Sequence, residues 1–188
     1  MRRLFHWFVC CLLALLAHVP SQALASDIEI VQARLEAGES GYRLASGFQF
    51  ELNRGLEDAI YHGVPLYFTT EVELSRPRWY LFSERSISTK QTIRISYNVL
   101  TRQYNAAILG SLQQNYRTLE DALSLVRRPL RWTVADFGEL EVGETYTVAV
   151  RMMLDVSQLP KPFQVNAINN RNWRLSSDWK RFYFTAEK

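Results

Sequence analysis

Apolar and polar residues alternate along several stretches of the chain, the period of strands that bury one face. Tyr42, Leu44, Phe48, Phe50 and Leu52 share one face of a first strand, with Arg43, Gln49 and Glu51 opposite. Val64, Leu66, Phe68, Val72 and Leu74 repeat the pattern against Glu71 and Glu73. A third strand sets Ile93, Ile95, Tyr97 and Val99 against Arg94, Ser96 and Asn98. A fourth carries Tyr146, Val148, Val150, Met152 and Leu154, and Phe182 with Phe184 marks a last one. Strands with one apolar and one polar face build antiparallel sheets. The expected fold class is therefore mainly β, an antiparallel β-sandwich.

Two short helices interrupt the strands. Asn53 is placed to cap a helix from Leu56 to about His62, ended by Gly63 and Pro65; Thr118 caps a second from Leu119 to Arg127, ended before Pro129. Leu56-Glu57-Asp58-Ala59 and Leu119-Glu120-Asp121-Ala122 each lead to a Pro-Leu pair, which fits a duplicated helix-to-strand unit or simply common helix grammar. Leu140-Glu141-Val142-Gly143-Glu144-Thr145-Tyr146 leaves two readings open. One is the tyrosine corner of immunoglobulin-like and fibronectin-like sandwiches, in which the phenol bonds back to the backbone. The other is an ordinary hairpin turn at Gly143. Gln158 to Pro162, with two prolines, reads as a strand connection too short to separate domains.

The amino end changes the picture. A basic start at Arg2 and Arg3, an apolar run from Leu4 to Ala17 and small residues at Ala23 and Ala25 spell a secretory signal peptide over residues 1–25, cut before Ser26. The run is too short for a membrane span and contains His6. Arg2 and Arg3 also form a twin-arginine pair, but the strongly apolar run favours the general secretory route. Residues 26–188 then form a single β-rich domain, and the localisation read from the sequence is the periplasm. Cleavage removes Cys10, Cys11, His6 and His18, leaving His62 as the one histidine and no cysteine. Disulfides and structural zinc drop out with them, and no metal or cofactor is expected. The full chain carries a net charge of +3, part of it in the signal, and no long basic run, so nucleic acid is not an expected partner.

Candidate chemistry is sparse. His62 lies four residues after Asp58, one helical turn, where a carboxylate could orient the ring for hydrolysis. No serine stands in a nucleophile elbow, and a histidine at a helix C-terminus is favoured by the dipole alone. Paired carboxylates are the other hydrolytic option: Glu71 with Glu73, and Asp136, Glu139, Glu141 and Glu144 around one turn. Gly138 breaks any calcium-loop register there. Large rings beside cations stand out more. Arg76, Arg78, Trp79 and Tyr80 in one segment, and Trp173 and Trp179 in another, form the candidate binding surface for a protein, a glycan or lipid headgroups. The competing reading is core tryptophans covered by arginine stems. A transmembrane barrel is disfavoured by the persistent Arg, Glu and Asn on one strand face. An apolar-ligand carrier would need an interior cavity lined by the alternating Phe and Tyr residues.

The chain resembles a proteobacterial family described as domain of unknown function 4390. The resemblance rests on Gly63-Val64-Pro65-Leu66-Tyr67-Phe68, Arg78-Trp79-Tyr80, Ser96-Tyr97-Asn98 with Leu100-Thr101-Arg102-Gln103-Tyr104, and Leu159-Pro160-Lys161-Pro162. It implies an exported protein with no assigned catalytic residue. It also implies an association with membrane-bound sensor kinases, hence an accessory role in envelope signalling. The expected function is a non-enzymatic binding domain whose partner is another envelope protein or the membrane face. N-terminal sequencing of the chain recovered from a periplasmic extract should begin at Ser26; a chain still starting at Met1 would sink the signal-peptide assignment.

Overall fold

The computed structural model describes residues 28–76, 84–169 and 173–187. Strands β1 (Glu29–Ala37), β2 (Gly41–Gln49) and β7 (Trp132–Asp136) form a three-stranded sheet in the order β1-β2-β7. Strands β3 (Leu66–Arg76), β4 (Glu84–Asn98), β5 (Gln103–Ile108), β6 (Gln114–Tyr116), β8 (Thr145–Leu154) and β9 (Lys180–Thr185) form a six-stranded one, ordered β6-β5-β4-β3-β8-β9. Every neighbouring pair is antiparallel. The two sheets stack in a sandwich-like arrangement, and neither closes into a barrel. Among the described residues no helix is long and apolar enough to cross a membrane.

The alternating residues are the ones that meet between the sheets. Tyr42, Leu44 and Phe48 of β2, Leu66, Phe68, Val72 and Leu74 of β3, Ile93 and Ile95 of β4, and Val148, Val150 and Met152 of β8 belong to one buried cluster. Tyr42 ties the small sheet to the large one. Its ring packs edge-on against Phe184 at 5.3 Å and Phe137 at 5.4 Å, and its hydroxyl donates to the Glu187 carbonyl at 2.9 Å. A Lys180 Nζ bond to the Ile30 carbonyl, 2.9 Å, adds a second tie between β9 and β1.

The helices fold as their caps dictate. Helix α1 (Arg54–Tyr61) begins at Asn53, whose side chain accepts from the Leu56 N–H, and buries Leu56, Ala59 and Ile60. Gly63, at φ +85°, turns the chain out of it. Helix α2 (Leu119–Arg127) is capped by Thr118 on the Asp121 N–H and buries Ala122, Leu123 and Val126. The two look-alike units part company afterwards, since α1 feeds β3 of the large sheet and α2 feeds β7 of the small one. A third helix, α3 (Lys161–Asn169), stands where a strand connection was expected. The Pro160 carbonyl accepts from Phe163 N–H and Gln164 N–H, so the prolines lie at a helix start, where a missing N–H does no harm.

The tyrosine corner is present. Tyr146 is 2% exposed, and its hydroxyl accepts from the Glu141 N–H at 3.0 Å across the turn at Gly143, φ +87°. The bond fixes the entry to β8, the strand between β3 and β9. Tyr146→Phe should therefore lower stability by about 1–2 kcal/mol, read as a shift in the urea midpoint at unchanged slope. No shift would show that the phenol contributes only its ring.

Candidate functional site

Arg78, Trp79 and Tyr80, the centre of the expected binding surface, lie outside the described residues. The structure puts the remaining three members in three places. Arg76, at the end of β3, pairs with Glu141 at 2.5 Å and Glu144 at 3.9 Å and sits over the Tyr146 ring. Hydrogen bonding by the Glu141 carboxylate, then by Tyr146, pushes its pKa further up against the opposing desolvation. Trp173 is 8% exposed and packs on Phe163, with ring centroids 5.5 Å apart. Trp179 is half-buried beneath Arg151, whose guanidinium lies 4.6 Å from the ring centroid and donates to Glu71 at 2.6 Å. Burial of Trp173 removes it from any open surface, and the arginines at the other two positions already hold carboxylates.

The hydrolytic candidates do not converge. His62 lies exposed after α1, its Nδ1 2.7 Å from the backbone carbonyl of Asp58, so the expected carboxylate partner is replaced by a helix carbonyl. Glu71 pairs with Arg151, Glu141 and Glu144 pair with Arg76, and Glu139 accepts from the Asp136 N–H at 2.7 Å. Among the described residues no group of three or more His, Cys, Asp or Glu could hold a metal ion. Among the described residues the apolar side chains between the sheets form one buried core cluster. Tyr61, Tyr97 and Tyr104 instead form a ring stack with centroids 5.4 and 4.8 Å apart, flanking the end of α1. Burial, then the neighbouring Tyr97, Tyr61 and Glu57, pushes the Tyr104 phenol up.

One surface feature was not anticipated. The β2–β7 ladder ends at Leu44↔Trp132, while β2 continues pairing with β1 as far as Gln49. Past that point residues 45–49 line one wall of an open groove of about 720 Å³, and Arg127, Arg128, Pro129, Leu130 and Arg131 line the other. Every charged residue lining it is an arginine. Arg127 is anchored, since its guanidinium donates twice to the Phe50 carbonyl, pairs with Glu120 and stacks over the Phe50 ring. Arg131 pairs at the rim with Glu36, whose carboxyl is held below its ordinary range by the Arg34 hydrogen bond foremost and by the Arg131 charge. Arg128 is exposed and has no partner among the described residues. On the other side of Arg127 a second groove is lined by Glu29, Glu51, Glu57 and Glu120. The sequence signal was available, in Arg127-Arg128-Pro129-Leu130-Arg131, but nothing in it shows which strand that run faces.

The sequence profile of the family described as domain of unknown function (DUF4390) matches residues 25–183. The chain belongs to this family. Comparison with curated proteins and with solved structures finds no match to either. The DUF4390 match spans both sheets and both walls of the arginine groove.

A last titratable group in this DUF4390 domain bears on catalysis. Asp155 follows β8 and caps the one-turn 3-10 helix Val156–Gln158. Burial pushes its carboxyl up, but hydrogen bonds from the Ser157 hydroxyl, the Gln158 amide and the Ser157 N–H outweigh it and hold the pKa low. A general acid needs the opposite shift. Because the folded pKa is depressed, the ionised carboxylate stabilises the fold above the unfolded aspartate value of about 3.9, and that contribution is lost as pH falls through the lower folded value. Asp155→Asn should be less stable than the parent at neutral pH, with the gap closing in acid. Urea melts across a pH series would refute this by showing a constant gap.

Proposed function

We propose that this chain is a non-enzymatic binding domain, exported to the periplasm, that engages another envelope protein through the arginine-lined groove beside β2. The groove carries the reading. It is concave, its charges are of one sign, and one of them, Arg128, has no partner among the described residues. Arginine concentrates at protein interfaces because its planar donors match carboxylates and its stem covers apolar surface. Pairing of the candidate catalytic groups with structural partners supports the same reading. A membrane-bound sensor kinase is a partner consistent with the expected place in envelope signalling.

In cells, crosslinking through the tagged full chain followed by mass spectrometry should recover a defined envelope protein. Arg128→Glu should deplete that protein several-fold while leaving thermal unfolding unchanged. The paired variant Arg78→Ala with Trp79→Ala separates the surfaces: depletion by that variant alone would move the contact to the Arg-Trp-Tyr segment. A recovered set that neither variant alters would remove both surfaces.

A further inference from the structure

We infer that the groove takes an extended, acidic peptide segment by strand addition to the free edge of β2; this rests on the groove being the binding site. Ala45 to Gln49 are paired on one side only. Their ladder to β1 runs on to Glu29↔Gln49, and no backbone hydrogen bond joins them to residues 128–131 among the described residues. Extending the β7 register would set Pro129 opposite Gly47, and proline has no N–H to give to the ladder. A free edge is commonly blunted by lysine, proline or a covering loop. Residues 45–49 read Ala-Ser-Gly-Phe-Gln, with neither lysine nor proline among them, and the facing loop that carries Pro129 leaves the groove between itself and this edge.

Charge describes the occupant. Arg128, which has no partner among the described residues, flanks the path, so a carboxylate is the side chain it accepts, while Arg131 at the rim already holds Glu36. Leu130, 60% exposed on the facing wall, offers apolar contact to the occupant. An anionic membrane fits less well, because the neighbouring groove presents Glu29, Glu51, Glu57 and Glu120 just across Arg127.

A random peptide library displayed on phage, selected on the exported chain and counter-selected on Arg128→Glu, tests this. The expected winners are acidic and proline-free, and they bind the variant about tenfold more weakly. Binding should slow amide exchange within residues 45–49, and N-methylating alternate peptide amides should abolish binding in one of the two registers. Acidic winners that depend on Arg128 but bind equally well when N-methylated, with no protection of 45–49, would overturn strand addition and leave the groove as the site. Winners without acidic preference, or indifferent to Arg128→Glu, would overturn both. Phosphatidylglycerol vesicles form the last arm: Arg128-dependent vesicle binding with no peptide enriched would make a membrane the occupant and end the proposal.

Discussion

Two sheets that share a core without sharing a ladder are held by what they bury. This domain has no cysteine after residue 25, so apolar surface must bear the joint, at roughly 1.5–3 kcal/mol for each large side chain fully withdrawn from water. The joint is nevertheless directional, because Tyr42 spends its hydroxyl on the Glu187 carbonyl and its ring on Phe137 and Phe184. One side chain thereby fixes β2 against the end of β7 and against β9. Tyr146 fixes the entry to β8 locally, accepting from the Glu141 N–H across one turn.

The groove follows from that fixed joint. With Tyr42 clamped, the paired part of β2 and β7 is Gly41 to Leu44, close to the clamp. Beyond it β7 must connect to α2, whose last residue, Arg127, is itself tied to the Phe50 carbonyl past the far end of β2. The connecting residues are therefore held at both ends while Pro129 denies them a donor in the middle. They bridge the gap without zipping it, and the edge stays open.

Much of this was legible in the chain and some was not, for reasons that particular residues make plain. Strands β3, β4 and β8 and the boundaries of α2 were readable because one face is continuously buried and Thr118 and Pro129 punctuate the helix. Strand β1 escaped because a register shift between Ile30 and Gln32 breaks its alternation and leaves Val31 exposed. Strands β5, β6 and β7 are too short for a period-2 signal to stand out. Helix α3 was hidden by Pro160 and Pro162, which look like breakers unless the helix begins there. Cation-ring neighbours in the sequence did not show which side chains would be engaged within the fold: Trp173 is buried, and Arg76 and Arg151 are paired. The groove could not be read at all, because its two walls lie some eighty positions apart in the chain and meet only through the β2–β7 register.

Arg127 is the residue on which the electrostatics of that face turn. Its guanidinium stands between a groove lined by arginines and one lined by four glutamates, and it contributes to both linings. Were it free, its charge would be drawn toward the glutamates and blur the boundary. Instead two donors fixed on the Phe50 carbonyl, the Phe50 ring beneath it and Glu120 alongside hold it in one orientation. A guanidinium held this way lends its charge to the field without being available to an occupant. That leaves Arg128, among the described residues, as the groove arginine without a carboxylate of its own, and it lets two patches of opposite sign persist within a few residues of each other.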